Sequence, residues 1–424
     1  MKRVTGLAAA LELLGGPQPN DEGVDRVVAR ILGDVHRNGD AAVKRISGEL
    51  DGEALVSLEV PQSDIDAALA SIPAETREAL ETAAERVHNF QSAAMPQSWH
   101  DDDRHYGELV TPVKRVGAYV PGGTAPLAST VIMTVVPARV AMVDEIYLST
   151  PAAGDSLPHP AVLAAAAIAG ADRVFKIGGA QAIGAFAYGT ETVPPVDLIV
   201  GPGNVWVTAA KRQLFGHVGI DGLYGPTETL VVADQTSDPG FCASDLLAQA
   251  EHDVRARPVL VSTSSEVADE VEAALKRQLT VLPRQSIAGE AVDTNGVSVI
   301  VASVEEAIEV ANAVAPEHLC LAIADPAPYI SQVRSAGGLY AGKYSAEVMG
   351  DYVAGPSHVM PTGGTARFAS ALNVRHFLRF MPVVDLDSDG FLAIARQAAV
   401  LARTEELHGH ANAAELRMKR LIGE

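Results

Sequence analysis

The sequence predicts an α/β protein built on parallel sheets, and three observations carry that expectation. From Val113 onward, short β-branched runs alternate with Ala-rich helical stretches, the pattern of strands joined by crossover helices. Several of these runs end in glycine clusters, where open sheets of this class bind ligands. The 424 residues also exceed what one hydrophobic core usually fills, so more than one domain is expected.

The elements follow in order. Residues from Val24 to about Gln97 read as helical, with apolar positions at helical spacing in Val24, Val27, Val28, Ile31 and Leu32 and again in Ile65, Leu69 and Ile72. The strand runs are Val116 to Val120, Glu145 to Leu148, Arg173 to Ile177 and Leu198 to Val200, then Leu230 to Val232, Val259 to Val261, Val297 to Val301 and Leu319 to Ile323. Phe391 to Leu401 and Glu405 to Ile422 read as two closing helices with no strand between them. Such a tail cannot bury itself alone and is expected to pack on another domain or another subunit. No internal repeat or low-complexity tract appears.

Composition narrows the function class. A formal charge of −21 argues against nucleic acid and against an anionic membrane surface as partners. Two cysteines, Cys242 and Cys320, give neither a disulfide framework nor a Cys-x-x-Cys metal knuckle, and they fit a reducing compartment. The apolar stretch after Met1 to Thr5 soon meets Gly15-Gly16-Pro17, too early for a secretory segment, and no apolar run is long enough to span a bilayer. A cytoplasmic protein is expected.

The glycine clusters are Pro121-Gly122-Gly123, Gly178-Gly179 and Gly201-Pro202-Gly203-Asn204. None has the Gly-x-Gly-x-x-Gly spacing of a dinucleotide fingerprint, and no Walker A sequence is present. Tight turns and cofactor loops both remain open on this ground.

Four segments carry ionisable residues. In Ser244 to His252, Ser244 reads as a helix N-cap, and Gln249 and His252 lie three apart on one helix face, as two ligands of one metal must. Glu317-His318 sets a carboxylate beside an imidazole just before a strand, a pairing suited to a general base and a water activator. Gly350 to His358 is a turn-rich loop offering Asp351 and His358, and Glu405 to His410 adds two carboxylates and two imidazoles near the end. Each has a plain alternative as solvated surface. Together they supply nitrogen and oxygen donors that suit a divalent ion such as Zn²⁺.

These segments, with Tyr119 to Leu127, Gly178 to Ile183, Gly201 to Asn204, Asp245 to His252, Pro316 to Leu319, Gly350 to Tyr352 and Pro361 to Ala366, resemble the histidinol dehydrogenase family from about residue 20 to the C-terminus. The resemblance implies oxidation of L-histidinol to L-histidine through the aldehyde, using two NAD⁺ and a bound zinc ion. It implies zinc ligands Gln249, His252, Asp351 and His410, with His318 as general base and Glu317 as water activator. Substrate contacts would be Thr227, His318, Asp351 and Glu405, in a pocket shared with the ligands Gln249, His252 and His410; NAD contacts would be Tyr119, Gln181 and Asn204.

The family's architecture implies two incomplete Rossmann-like domains, which accounts for the missing fingerprint. They would comprise residues 21–119 with 229–370, and residues 120–228, flanked by an N-terminal segment 1–20 and a helical arm 371–424. In the homodimer that the resemblance implies, this arm reaches the partner's active site, placing Glu405 and His410 in trans.

The sequence departs from the family pattern at Gly225-Pro226-Thr227-Glu228, where Ser is usual at the third position, and at Tyr224 just before it. A methylene-sized change in a pocket shifts discrimination by only ~1–3 kcal/mol. The rival readings are therefore a paralogue acting on another small polar alcohol and a silent, ligand-sensing relative.

Overall fold

A computed structural model describes residues 1–14, 22–51, 55–122, 125–154 and 156–423. The Gly15-Gly16-Pro17 interruption and Gly123 lie outside the described residues. The chain divides into two compact units: Met1–Ala94 with Val113–Phe377, and Met95–Pro112 with Leu378–Glu424. Strands are numbered in chain order.

The first unit holds two parallel sheets. One contains β1 (Lys2–Thr5), β9 (Glu228–Ala233), β10 (Arg257–Ser262), β11 (Val297–Ile300), β12 (His318–Leu321) and β13 (Gly338–Ala341), in the order β1-β11-β10-β9-β12-β13. The other contains β4 (Arg115–Tyr119), β5 (Glu145–Ser149), β6 (Arg173–Phe175), β7 (Leu198–Val200) and β8 (Gly219–Ile220), in the order β6-β5-β4-β7-β8. Every pairing in both sheets is parallel.

The near-continuous apolar runs have a direct cause. In β9, Leu230 and Val232 enter one core, and Val231 and Ala233 enter another on the opposite face. A strand covered on both faces loses the apolar–polar alternation of a half-exposed one. Small side chains fill these cores because helices sit close against the sheet, as in Ala307, Ala311, Ala243 and Ala250.

The structure redraws the expected boundaries. The first sheet recruits β1, inside the segment set apart as 1–20. Strand β4, assigned with residues 21–119, is the central strand of the second sheet. The long helix Glu22–Asp51 also packs there: Val28, Leu32 and Val35 share a core with Ile183 and Phe186. That helix kinks at Gly39, whose φ of 49° favours glycine and beside which the Glu191 carboxylate is seated.

The second unit has an antiparallel sheet, β14-β3-β2, of β2 (Trp99–Asp101), β3 (Tyr106–Pro112) and β14 (Leu378–Val384). It ends in helices Ser388–Thr404 and His408–Ile422, so the arm is not helical throughout, and its last helix starts at His408 rather than Glu405. Among the described residues, no helix is long and apolar enough to cross a membrane.

Candidate active site

In the second sheet the chain steps from β4 to β6 toward one edge and from β7 to β8 toward the other. Strand order therefore reverses between β4 and β7, the place where loops at the carboxyl ends diverge and a ligand can enter. Val120 to Gly122 and Gly201 to Asn204 follow these two strands. The first sheet reverses between β9 and β12, yet its chemistry-bearing residues sit at the opposite, amino ends: Thr227 precedes β9, Glu317 precedes β12, and His318 opens β12 opposite Thr229.

A cavity of about 350 Å³ lies between these ends. Pro121 and Pro202 to Val205 form its wall on the side of the second sheet; Tyr224 to Thr227, Glu317 and His318 form the other, and Gln249, His252, Asp351 and His358 also line it. Its volume suits a small polar metabolite together with part of a cofactor.

Within it the side chains form one network. Thr227 Oγ1 lies 2.8 Å from Gln249 Oε1 and 2.6 Å from Glu317 Oε2, which also accepts the Glu228 amide at 3.1 Å. Gln249 Nε2 donates to Asp351 Oδ2 at 2.9 Å and lies 3.4 Å from His318 Nε2. His318 Nδ1 faces the Glu228 carbonyl at 3.2 Å, and its Nε2 faces Asp351 Oδ1 at 3.1 Å. A carbonyl can only accept, so Nδ1 carries the proton, and in the neutral ring Nε2 is the basic nitrogen. Tyr340 stacks on the imidazole with ring centres 5.9 Å apart, fixing its plane.

Electrostatics set the protonation of the pair. Burial would depress His318, but the carboxylates of Glu317 and Asp351 outweigh it and raise it to about 10. Burial raises Glu317 to about 7 against the opposing pull of His318 and Thr227. For Asp351 the His318 contact overcomes burial and holds the carboxyl below its ordinary value. His252 is reached by solvent, yet surrounding protein atoms keep its imidazole below the usual value and available as a neutral donor.

Behind the site, Glu347 is fully buried: its Oε2 accepts from Thr229 Oγ1 at 2.6 Å, and its Oε1 has no hydrogen-bond partner. Burial raises its carboxyl from 4.5 to about 8. A carboxyl raised on folding binds more protons in the native state, so stability falls as pH climbs from about 4.5 and the loss is complete above about 8. Glu347→Gln, which keeps the shape without ionising, is expected to melt several degrees above the wild type at pH 9 and close to it at pH 5. An equal difference at both pH values, read by thermal denaturation, would contradict this.

The structure thus gathers Asn204, Thr227, Gln249, His252, Glu317, His318 and Asp351 on one cavity. Two expected cofactor residues are elsewhere. Tyr119 is buried, its hydroxyl accepting the Gly179 amide at 3.1 Å, and Gln181 is buried with its amide donating to Ser47. Tyr119 thereby holds the turn at Gly178-Gly179, and Gln181 ties the helix that follows it to Ser47. Asn204 caps helix Val205–Leu214 by accepting the Trp206 and Val207 amides. Glu405 and His410 belong to the other unit, where both are exposed.

Two local readings are corrected. The cap of helix Pro239–Ala250 is Asp238, while Ser244 lies inside it and donates back to the Phe241 carbonyl. The helix ends at Ala250, so His252 stands two residues past it, just beyond the Glu251 cap, rather than on a shared helical face. Sequence reasoning also left His358 out of the site. Its Nδ1 binds the Asp351 carbonyl at 2.7 Å and its Nε2 meets Thr130 Oγ1 at 3.0 Å, and the imidazole in Gly350 to His358 was the signal for it.

Among the described residues, no three His, Cys, Asp or Glu side chains are grouped to hold a metal. The donor set nevertheless fits one. Thr227 has a single hydroxyl proton but faces two acceptors, Gln249 Oε1 and Glu317 Oε2. Turning the Gln249 amide over lets Thr227 accept from its nitrogen and donate to Glu317. Gln249 Oε1 then faces Asp351, an oxygen pair that a divalent cation would reconcile, with His252 nearby on the same cavity.

The sequence matches the family described as Histidinol dehydrogenase over residues 16–418. It is 49% identical over 94% of its length to "Histidinol dehydrogenase" of Thermus thermophilus, covering 95% of that protein. It is 50% identical over 93% of its length to the protein of the same name in Deinococcus radiodurans, covering 91% of it. Its fold is similar to the crystal structure of histidinol dehydrogenase from Elizabethkingia anophelis, with a TM-score of 0.95, 34% identity, and coverage of 99% of this chain and 98% of that one.

Proposed function

The chain belongs to the histidinol dehydrogenase family, and on that premise we propose that it oxidises L-histidinol to L-histidine through the aldehyde at the Glu317-His318 site. The observation that supports this most is the convergence of Thr227, Gln249, Glu317, His318 and Asp351 on one cavity. When bound, NAD⁺ accepts the hydride at each oxidation, and zinc holds the substrate in register.

His318 Nε2 takes the alcohol proton as the first hydride leaves. Its Nδ1–H is anchored on the Glu228 carbonyl, so the ring does not turn away as its charge changes. Glu317 draws a proton from water as that water adds to the aldehyde carbon, and protonated His318 returns its proton to the former carbonyl oxygen, which gives the hydrate and restores the base. His318 then takes a proton from the hydrate as the second hydride departs. Thr227 and the Glu228 amide keep the Glu317 carboxylate aimed through both steps.

Zinc would be held by Gln249, His252 and Asp351, with His410 as a fourth ligand from the arm of a second copy. That assignment makes the enzyme a homodimer with exchanged arms, and Glu405 joins the substrate contacts in the same way. Tyr119, Gln181 and Asn204 serve NAD, Tyr119 by supporting the Gly178-Gly179 turn. A cytoplasmic location accords with the two free, buried cysteines.

The deciding experiment is steady-state NADH production with L-histidinol beside a panel of other small polar alcohols. Brisk turnover of another alcohol with none of histidinol would overturn the substrate assignment. Prolonged chelation is expected to abolish turnover, with Zn²⁺ restoring it and reloading about one ion per chain by elemental analysis. Full activity in metal-free protein would remove zinc from the account.

A further inference from the structure

Beneath the cavity, helix Val205–Leu214 makes a set of contacts that neither the reaction nor the ligand set requires. Lys211 is completely enclosed, and its ammonium donates to Asp221 Oδ1 at 2.5 Å and to the Gly201 carbonyl at 3.0 Å. The Asp221 side chain is equally enclosed and accepts the Gly201 amide on Oδ2 at 2.7 Å and the Gly222 amide on Oδ1 at 2.8 Å. The ammonium also sits over the Tyr224 ring, 4.7 Å from its centre. One turn earlier, Thr208 Oγ1 donates to the Tyr224 carbonyl at 2.7 Å.

Both cavity walls are therefore tied to one ion pair. Gly201 begins the Pro202 to Val205 wall, and Tyr224 begins the wall that continues to Thr227. Gly201 has a φ of 107°, and a side chain there would strike the Tyr119 carbonyl, so only glycine fits the turn, and its amide and carbonyl are both bonded to the ion pair. A buried ion pair gives little net stability against apolar side chains of similar size, because desolvation offsets the attraction. What it does give is a fixed arrangement of the segments that satisfy it.

We propose that Lys211 and Asp221 are positioning residues that lock the wall carrying Asn204 to the wall carrying Tyr224 and Thr227, and so set the spacing between cofactor and alcohol. This rests on the reading of those walls as the cofactor side and the substrate side. Neither residue touches a reacting atom. They act through Gly201 and Tyr224.

The test uses two variants of the full-length protein. Asp221→Asn keeps the shape but puts an amide NH₂ or a single acceptor where two are needed, so it cannot serve Lys211 and the Gly201 amide together. Lys211→Met with Asp221→Leu replaces the pair by apolar side chains; because it also strands the Gly201 and Gly222 amides and the Gly201 carbonyl, it is expected to fold with a melting temperature several degrees below the wild type's. In both, hydrogen exchange at residues 201–205 and 222–227 is expected to quicken about tenfold or more, while strands β9 and β10 stay unchanged. The KM values for NAD⁺ and for histidinol are expected to rise together.

Wild-type exchange at both walls, with both KM values unmoved in either folded variant, would overturn the proposal. Quickened exchange in an enzyme that proves inactive on histidinol would support the lock while overturning the substrate reading. Quickened exchange at one wall alone would also overturn it, because the lock requires both.

Discussion

Replacing His318 by Asn is expected to lower kcat for histidinol by about 10²- to 10⁴-fold, the range carried by a positioned general base. The Asn amide can overlie the Nδ1–H position and keep the hydrogen bond to the Glu228 carbonyl, so the strand end need not move. It has no counterpart of the basic Nε2, which faces Asp351 at 3.1 Å. The variant is therefore expected to fold, to bind one zinc per chain and to keep its KM within a few-fold, with the loss confined to kcat. A kcat within tenfold of the wild type would remove His318 from the base role. The pH profile supplies a second check. Carboxylates around His318 hold it protonated in the protein alone, so kcat/KM should rise with pH as the proton leaves and then level off.

Replacing Glu317 by Gln is expected to separate the two oxidations. Its Oε2 is held by Thr227 and by the Glu228 amide, and a glutamine oxygen can accept the same two bonds. Geometry is kept while basicity is lost. Burial also raises the carboxyl to about 7, so the ionised form needed to draw a proton from water grows as pH passes neutrality. Oxidation of the aldehyde should fall by about 10²-fold or more. The alcohol step should fall far less, with aldehyde accumulating and trappable by a hydrazine. Equal loss in both steps would show that Glu317 does not act chiefly on water.

Much of this was legible in the sequence, for identifiable physical reasons. Strands β4 to β7 and β9 to β12 stood out because each is buried on both faces and so reads as a short apolar run. Strand β1 did not, because Lys2–Thr5 is a short, largely exposed edge strand whose partner β11 lies near residue 297. The antiparallel pair β3 and β14 was equally hidden. Tyr106–Pro112 and Leu378–Val384 are partly exposed, carry prolines and join across some 270 residues, which no local pattern records.

The site was legible as residue types and only through family likeness as a set. Nothing in Gln249 or Asp351 announces that they meet at 2.9 Å, since the bond links a helix end to a short helix, Glu347–Tyr352, a hundred residues on, where the sequence read a loop from Gly350. Glu347 gave no signal, because sequence does not show that burial leaves it no water. The Asp238 cap was overlooked in favour of Ser244 because both residue types cap helices, and Pro239 at the first helical position was the discriminating sign.

One cavity, between the carboxyl ends of the second sheet and the amino ends of the first, is expected to carry out both oxidations. The most direct test is the stoichiometry of a limiting amount of L-histidinol consumed by the purified protein. Two NADH and one L-histidine formed per histidinol, with no free aldehyde captured by a trapping amine, is the predicted result. One NADH per histidinol with aldehyde released would contradict it.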